Sequence, residues 1–543
     1  MCIRRKDSNS SFLIGELQVR IRPAARLAVR YEYKMLSCVR IIYEKGKEER
    51  MMLNTIKNAL NTAWTENGAR THASSLSDCL DLFFRAGGMR QADPHEIETV
   101  VMRAYTENPV YTLKTLFYIR DIRGGMGERR FFRIAMQALA KHAPEAVLRN
   151  VKLFSEYGRY DDLLILLDSP CAAEGIAVIR DRLDADLAAM REQKPASLLA
   201  KWLPSVNASN ADTCAAGKRV AKLLHMQEKE YRKMLSALRK YTDILENRLR
   251  ESDYTFDYAK QPSCAMLKYR AAFIRNDNER YAEFLAAVKA GKQTMHADAL
   301  YPYDIIRACR KGGYPFPNLP SAEKDALDAA WNALPAYGAA EENALAVVDG
   351  SGSMYGGMGP VVPIDIALSL GIYFAEHNKG AFANHFITFS SRPKMVEIKG
   401  TQIADKAAYC ASYNEAANTD LEAVFRLILE TAVRNSVPQA EMPAKLYIIS
   451  DMEFDYCVTG GNRQTLFDTM QQMYEEKGYR LPEIVFWNVT SRHSNIPVTM
   501  SQTGAALVSG ASPAVFDIVT GSDLSPLRVM EQAILSERYA AVS

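Results

Sequence analysis

Apolar residues recur every three or four positions from residue 52 to about residue 335, a spacing that predicts amphipathic helices. Glycine, asparagine and proline interrupt the pattern at short intervals, as they do where helices end and turns begin. Runs that alternate apolar and polar residues are missing from this stretch, and no clean sequence period is visible. We therefore predict an all-α domain over residues 52–335, built as a HEAT-like superhelical array of paired helices with degenerate repeats.

The chain before this stretch has a different character. Residues 1–50 contain 12 basic and 6 acidic residues and show no clear period. Met51 and Met52 then open the first helical pattern, LNTIKNALNTAWTENGA, so we predict that the native start is one of these two methionines. Residues 1–51 are accordingly predicted to be a basic, loosely ordered extension. The alternative is a short basic arm that binds a partner.

Short apolar runs alternate with helical stretches beyond residue 340. The predicted strands cover residues 344–348, 385–389, 446–449 and 484–487, and the predicted helices cover residues 364–374, 421–431 and 464–474. Strands that alternate with helices indicate a mostly parallel, doubly wound α/β sheet. We place this domain at residues 340–535, after a linker at residues 335–342. Ligands of such sheets bind at the carboxyl ends of the strands.

Composition and charge constrain location and partners. No apolar run reaches the roughly 18 residues of a membrane span, and the first 30 residues lack the features of a secretory signal. Nine scattered cysteines without a C-x-x-C pair favour a reducing cytoplasm over a disulfide framework. From residue 340 onward, 14 basic and 23 acidic residues give a net charge of −9. Because the whole chain has a net charge of +3, the residues before position 340 carry +12. A polyanion would therefore contact the helical half, unless solvated helix faces merely differ in composition.

The strongest chemical signal is AVVDGSGSM, in which an apolar strand ends at Asp349 and is followed by Ser351 and Ser353. One tight loop can direct these three oxygens to one point, and the two intervening glycines are predicted to supply unusual backbone angles. Thr419 in a later loop and Asp451 at the end of another apolar strand offer further oxygens at the same sheet edge. Such hard ligands suit Mg²⁺, Ca²⁺ or Mn²⁺. The motif alone is often only a turn, but the preceding strand and the later residues favour a metal site.

This arrangement resembles the metal-ion-dependent adhesion site of von Willebrand factor A domains, which carry D-x-S-x-S, a later threonine and an aspartate after the fourth strand. The resemblance implies that Ser351 and Ser353 bind the metal directly, Thr419 directly or through water, and the two aspartates mainly through water. In that family the site binds rather than catalyses, and its open position takes an acidic side chain of a partner protein. The usual T-D-G after the fourth strand reads S-D-M-E-F-D here, so Glu453 or Asp455 offers an alternative carboxylate.

The helical half carries clusters of basic residues, with 10 basic and 4 acidic residues between positions 218 and 250. Runs such as IRDIRGGMGERRFFR and KWLPSVN, taken with the A domain, resemble an uncharacterised family of helical-plus-A-domain proteins over almost all of residues 52–535. That family distantly resembles the TROVE-module RNA-binding proteins of the Ro autoantigen group, in which helical repeats form a ring closed by an A domain. By this analogy, RNA phosphates would be bound by Arg123, Arg129, Arg130, Lys201, Lys218, Arg219, Arg232, Lys233, Arg239 and Lys240.

For each of these cations the alternative to RNA binding is a structural role, either on a solvated helix face or in an ion pair. Nearby aromatic side chains could stack RNA bases, but we predict that four of them are core residues: Phe117, Tyr118, Phe131 and Phe132. Arg159 with Asp161 and Asp162 is predicted to be a structural ion-pair cluster.

The leading functional hypothesis is a non-enzymatic, cytoplasmic scaffold that binds structured or single-stranded RNA and captures an acidic protein side chain at a Mg²⁺ site. The alternatives are a metal-dependent protein-interaction module without an RNA role, and a hydrolase that uses the bound cation. An enzyme is the weaker reading, because the glycine-rich stretch at residues 350–359 is not followed by Gly-Lys-Ser/Thr. Ser351 also does not lie in G-x-S-x-G, and no histidine has an evident claim as its base.

Overall fold

The computed structural model describes residues 52–338 and 343–543, apart from residues 54, 58, 59, 357–360, 391, 415–419, 456–464 and 521–523. The predicted extension at residues 1–51 and the end of the predicted linker therefore lie outside the described residues. Contacts divide the chain into two compact units, Met1–Thr62 and Ala63–Ser543. The second unit contains both the helical array and the large sheet, which are described below.

The region up to residue 332 is rich in helices, as the apolar spacing predicts. Several begin at polar caps that the sequence supplies: the Ser77 side chain accepts a hydrogen bond from the Leu80 N–H, and Asp93 and Asn108 each cap a helix that starts with proline. The helices are α1 (Asp78–Ala86), α2 (Pro94–Glu107), α3 (Pro109–Arg120), α4 (Arg129–His142), α5 (Pro144–Asn150), α6 (Phe154–Tyr157), α7 (Ala172–Arg191), α8 (Leu199–Trp202), α9 (Ala211–Leu223), α10 (Glu228–Tyr241), α11 (Leu245–Arg250), α12 (Ser263–Asn276), α13 (Asn278–Lys289), α14 (Pro302–Arg310) and α15 (Ser321–Asn332).

The first helical pattern of the sequence ends earlier than predicted. Instead of a helical pattern through residue 69, the chain forms two short strands, β1 (Thr62–Trp64) and β2 (Arg70–His72). Between them, the Thr65 hydroxyl donates to the Phe454 carbonyl at 2.6 Å, and Gly68 pairs with Asp455 in an antiparallel bridge. Backbone pairing with a distant part of the chain thus overrides the local helical spacing, which is only a weak preference.

The carboxyl-terminal part is a six-stranded α/β sheet with the strand order β5-β4-β3-β6-β7-β8. β5 is antiparallel to β4, and the other neighbours are parallel. The chain runs from β3 to β4 on one side and then crosses to β6, β7 and β8 on the other, so the winding reverses between β3 and β6. The strands are β3 (Ala344–Asp349), β4 (His385–Phe389), β5 (Met395–Glu397), β6 (Lys445–Ser450), β7 (Glu483–Asn488) and β8 (Ala505–Ser509).

The four predicted strands are confirmed within one or two residues, and the helices between them occur as expected. The predicted helix at residues 364–374 is buried nearly all round, and a Cβ at Gly371 would lie 2.4 Å from Val348, so this glycine lets the helix approach β3 closely. The helices of this part are α16 (Pro363–His377), α17 (Ile403–Ala411), α18 (Leu421–Asn435), α19 (Leu466–Glu476), α20 (Val515–Ile518) and α21 (Pro526–Ile534).

Both ends of the helical array pack on the α/β part. At the first end, α1 covers the edge strand β8, and α21 packs on both β8 and α3. A Cβ at Gly87 would lie 2.3 Å from the backbone nitrogen of Gly510, so the end of α1 meets the loop after β8 backbone to backbone. At the last end, α14 and α15 pack on α16 and α17. Arg310 binds the buried Asp365 there through two hydrogen bonds of 3.0 Å.

The residues after α21 return to the first helices. Arg538 forms an ion pair with Asp121, whose side chain is 1% exposed, and the Tyr539 hydroxyl donates to the same carboxylate at 3.0 Å. The Lys114 ammonium donates to the Tyr539 carbonyl at 2.7 Å. This segment therefore fastens the α/β part to the start of the helical array. Among the described residues, none of the helices combines the length and the apolar character needed to cross a bilayer.

Candidate functional site

β3 brings Asp349 to the carboxyl edge of the sheet, beside β6 and at the point where the winding reverses. Asp349 is fully buried, and its Oδ1 accepts a hydrogen bond from the Ser351 N–H at 2.9 Å. Its Oδ2 accepts one from the hydroxyl of Ser450, the last residue of β6, at 2.6 Å. One carboxylate therefore joins the ends of the two strands at which ligands of such sheets usually bind.

The loop after β3 brings two hydroxyls together. Ser351 Oγ and Ser353 Oγ lie 3.0 Å apart, with Ser351 buried and Ser353 half-buried. In an octahedral shell with metal–oxygen distances of about 2.1 Å, neighbouring ligands lie about 3.0 Å from each other. The two hydroxyls are thus spaced as adjacent ligands of Mg²⁺ would be.

The glycines of this loop have a different role from the one predicted. Neither Gly350 nor Gly352 has a φ in the left-handed region, so unusual backbone angles do not explain them. A Cβ at Gly350 would lie 2.9 Å from the Asn414 side chain, so this glycine allows Asn414 to approach the loop. Asn414 Nδ2 donates to the Tyr355 hydroxyl at 3.1 Å. The predicted ligand Thr419 lies outside the described residues, five positions after Asn414.

Asp451 follows β6 and is also buried. Its Oδ1 accepts the Glu453 N–H at 3.2 Å, and its Oδ2 accepts the Arg492 guanidinium at 2.9 Å. Burial and, next, repulsion from Asp451 raise the pKa of Asp349 to about 7. The sheet edge therefore holds two buried carboxylates that repel each other, and a cation at this edge would relieve that repulsion.

The turn after Asp451 has a strained backbone. Met452 has a φ of 65°, in the left-handed region that favours glycine, and its N–H donates to the Ser450 hydroxyl at 3.1 Å. Glu453, which follows this turn, does not serve as the alternative metal carboxylate, because both of its carboxylate oxygens already accept hydrogen bonds. The Asn495 amide donates to Oε1 and Oε2 at 2.8 and 2.9 Å, and the Glu66 N–H donates to Oε2 at 2.7 Å.

Glu453 Oε1 also lies 2.9 Å from His493 Nδ1, and accepts a hydrogen bond when that nitrogen carries the proton. Glu66, Glu453 and His493 place one ligand-type atom each within 4.8 Å of one another. Because Glu453 is already committed to Asn495 and the Glu66 backbone, we interpret this group as a support that holds the hairpin loop beside the sheet edge. Arg492 extends the support, since it binds Glu66 at 2.8 Å as well as Asp451.

The structure thus brings together Asp349, Ser351, Ser353 and Asp451 of the predicted set. Three contributors were not predicted: Ser450, Arg492 and Asn414. Ser450 could have been identified, since it stands at the end of a buried strand immediately before a predicted ligand. Arg492 and Asn414 lie in loops whose course no local pattern of the sequence indicates.

The predicted RNA-binding cations divide into two groups. Some are already committed to the fold: Arg130 donates to backbone carbonyls at 2.8 and 3.2 Å, and Lys201 binds Glu246 at 3.0 Å. Arg219 pairs with Asp168, and Lys218 lies 3.7 Å from Glu228. Arg239 donates to two backbone carbonyls at 2.8 and 2.6 Å and to the Ser205 hydroxyl at 2.7 Å. These side chains therefore have, at least in part, the structural role that was the alternative to RNA binding.

The other group is exposed, and in the described part of the chain its side chains form no hydrogen bond or ion pair: Arg123, Arg129, Arg232, Lys233 and Lys240. Although Arg129 is exposed, its guanidinium is partly desolvated by neighbouring side chains. This desolvation, followed by repulsion from the Arg159 and Arg133 guanidinium groups, lowers its pKa. Arg232, Lys233 and Lys240 line a common groove, to which we return below.

Two predictions about this half are confirmed. The four aromatic residues singled out above are at most 1% exposed, so they belong to the core and cannot stack bases in this structure. Arg159 binds Asp161 through hydrogen bonds of 3.0 and 2.7 Å, and its backbone N–H donates to Asp162 at 2.9 Å, as expected of a structural cluster. The Arg159 guanidinium also lies 3.8 Å from the centre of the Trp202 ring.

Comparisons with known proteins return similarity without an assigned activity. Residues 343–527 match a family model described as a domain of unknown function (DUF7788). Residues 65–171 and 176–336 match another one described as a domain of unknown function (DUF2828). The uncharacterized protein L728 of Acanthamoeba polyphaga mimivirus is 27% identical in an alignment 523 positions long, which covers 88% of each chain. The sequence similarity to this viral protein therefore extends over both the helical and the α/β part of the chain.

Proposed function

We propose that this protein is a non-enzymatic scaffold that binds a divalent cation, in the first place Mg²⁺, at the carboxyl edge of its sheet. The observation that carries the proposal is the pair of adjacent hydroxyls, Ser351 and Ser353, 3.0 Å apart beside the buried carboxylates of Asp349 and Asp451. Hydroxyl and carboxylate oxygens are the ligands that a hard dication prefers. An incomplete protein shell would leave a position for an acidic side chain of a partner protein.

The resemblance to von Willebrand factor A domains belongs to this proposal. It is supported by the reversal of winding between β3 and β6, which puts the D-x-S-x-S loop and Asp451 at neighbouring strand ends. It is also supported by the φ of 65° at Met452, because the family carries glycine at that position of its T-D-G turn. Thr419 remains a proposed ligand, and its support is that Asn414, five positions earlier, approaches Gly350 in the loop after β3.

The proposal extends to RNA binding by the helical half in the cytoplasm. Its support is that the array begins and ends on the α/β part, as the ring described for the Ro group would require. A superhelical, HEAT-like course of the array is part of the same proposal. Cations on α4 and α10 that have no partner among the described residues are a further support, because phosphate binding requires basic side chains that are not already used in ion pairs.

Calorimetric titration of the full chain with MgCl₂ and MnCl₂ tests the metal site. We expect binding by the wild type and its loss in the double variant Ser351→Ala, Ser353→Ala. Ser369→Ala is the matched control, since this buried hydroxyl in α16 donates only to the Ile366 carbonyl at 2.9 Å. Equal cation binding by the double variant and the wild type would refute the site.

Sequencing of nucleic acid that co-purifies with the chain, followed by filter binding at low salt, tests the RNA role. We expect retention of single-stranded or structured RNA that weakens linearly with the logarithm of the salt concentration. If micromolar protein retains no RNA at low salt while the cation still binds, the protein is a metal-dependent protein-interaction module instead.

A further inference from the structure

A basic groove lies on the helical half, and none of the residues of the candidate metal site lines it. It encloses about 950 Å³ and is bordered by α10, α11, the residues that follow each of these helices, and the segment 205–207 after α8. Arg232, Ser236, Arg239 and Lys240 follow each other at intervals of four, three and one along α10, which puts them on one helical face. Ser205 and other polar residues line the groove beside this face.

The charges in this groove do not cancel. Its lining contains six basic residues and three acidic ones, a surplus of three positive charges. All three acids are already paired: Arg248 binds Asp243 at 3.0 Å and Asp253 at 3.1 Å, and Arg250 lies 3.3 Å from Glu251.

Of the basic residues, Arg239 is committed to backbone carbonyls and a hydroxyl, as described above. Arg232, Lys233 and Lys240 are exposed and have no ion-pair partner in the part of the chain that the structure describes. Three like charges along one groove repel each other, so an anion that contacts all three would bind more strongly than one that contacts a single side chain.

The lining also shows what the groove would not recognise. Among its described lining residues there is no aromatic side chain, so bases would find no surface on which to stack. The cavity volume is at the upper end of the range for small-molecule clefts, so it would accept a few nucleotides of one strand rather than a duplex.

We infer that this groove binds the phosphate backbone of a short stretch of single-stranded nucleic acid without reading its bases. The inference rests on the proposed RNA function and deepens it, since it names the surface and the kind of contact. Phosphate contacts give affinity and strong salt dependence but no sequence information.

Fluorescence anisotropy of the full chain with labelled oligouridylate and oligoadenylate of equal length tests the inference. The test variant is Arg232→Gln, Lys233→Gln, Lys240→Gln. The matched control is Lys141→Gln, Lys152→Gln, Lys292→Gln, which removes the same charge from exposed positions outside the groove. We expect the slope of log affinity against log salt to become shallower by about 2 in the test variant, from about 0.7 for each of three lost phosphate contacts. The control variant should keep the wild-type slope, and all three proteins should give the same circular dichroism melting curve.

The outcomes separate the groove from the general RNA role. If the wild type binds both strands and the test variant keeps the slope of the control, the groove is not the binding surface although the RNA function stands. A preference of more than tenfold for one of the two strands would refute backbone recognition without base reading. The same titration is repeated with labelled polyglutamate. If the test variant loses binding of polyglutamate but not of the oligonucleotides, the groove takes an acidic protein segment instead. If the wild type binds neither strand, the RNA function fails together with the groove.

Discussion

Asp349→Asn replaces a buried carboxylate at the sheet edge by an amide of nearly the same shape. In the wild type, a cation at one hundred times its dissociation constant would stabilise the folded state by about 2.7 kcal/mol. The compact unit Ala63–Ser543 has 481 residues (543 − 63 + 1), for which the entropy of unfolding is about 1 kcal/mol per degree. We therefore expect saturating MgCl₂ to raise the melting temperature of the wild type by about 3 °C relative to EDTA.

Differential scanning calorimetry at pH 7.5 measures this shift. The variant should lose it, because the amide carries no charge to balance the dication. Asp186→Asn is the matched control: this carboxylate is equally buried but accepts hydrogen bonds from the Ser197 N–H at 2.8 Å and hydroxyl at 2.6 Å, far along the chain from the site. The control should melt at a lower temperature than the wild type and still respond to MgCl₂. The same shift in Asp349→Asn as in the wild type would refute the assignment of this carboxylate to the cation.

Other features of the fold can be tested in the same way. Gly87→Ala would place a methyl group against the backbone after β8, so we expect urea unfolding to show a loss of about 2 kcal/mol; an unchanged midpoint would contradict this contact. Arg538→Ala leaves the buried Asp121 without its cation, which should cost about 2 kcal/mol at pH 7 after allowance for the partial exposure of the arginine. Burial raises the pKa of Asp121, but hydrogen bonds from Arg538, from the Arg123 N–H and from Tyr539, with the charge of Arg538, together hold that pKa below its ordinary 3.8. The stability difference should therefore be complete above about pH 4 and shrink as the pH falls through the lowered pKa, and a difference that is larger at about pH 3 than at about pH 7 would argue against the pair. Burial raises the pKa of Cys309 to about 12, so this thiol should react slowly with an alkylating reagent that attacks the thiolate. Peptide mass spectrometry after iodoacetamide treatment should find the exposed Cys264 labelled first, and equal labelling of both in the native protein would contradict the burial.

The sequence was most informative where one local pattern determines one element. The runs at 344–348 and 385–389 are apolar, short and bounded by turn residues, and both are strands of the sheet. The strand β5 was not predicted, because three residues with one buried position carry too little periodicity. The hairpin after residue 62 was mispredicted as helix because its hydrogen-bond partners, such as Phe454, lie almost 400 positions away.

The candidate site shows the same limit. Asp349, Ser351 and Ser353 could be grouped from the sequence because they share one loop, and Asp451 because it ends a neighbouring strand. The role of Gly350 could not be predicted from the sequence, since it depends on Asn414 packing against the loop rather than on a backbone angle. Among the basic residues, the sequence could not separate Arg239 from Lys240, although one is tied to carbonyls and its neighbour is exposed in the groove.

The contact between α1 and β8 has a consequence for how the chain is made. The Gly87 N–H donates to the Ser509 hydroxyl across 422 positions of sequence. At about 5 to 20 residues per second, the ribosome needs about 20 to 80 s to synthesise the intervening chain. During that interval the side of α1 that β8 covers has no native partner, and closing so long a loop is intrinsically slow. A fragment that stops before residue 505 never acquires that partner, so the helical half expressed alone should aggregate or remain bound to chaperones.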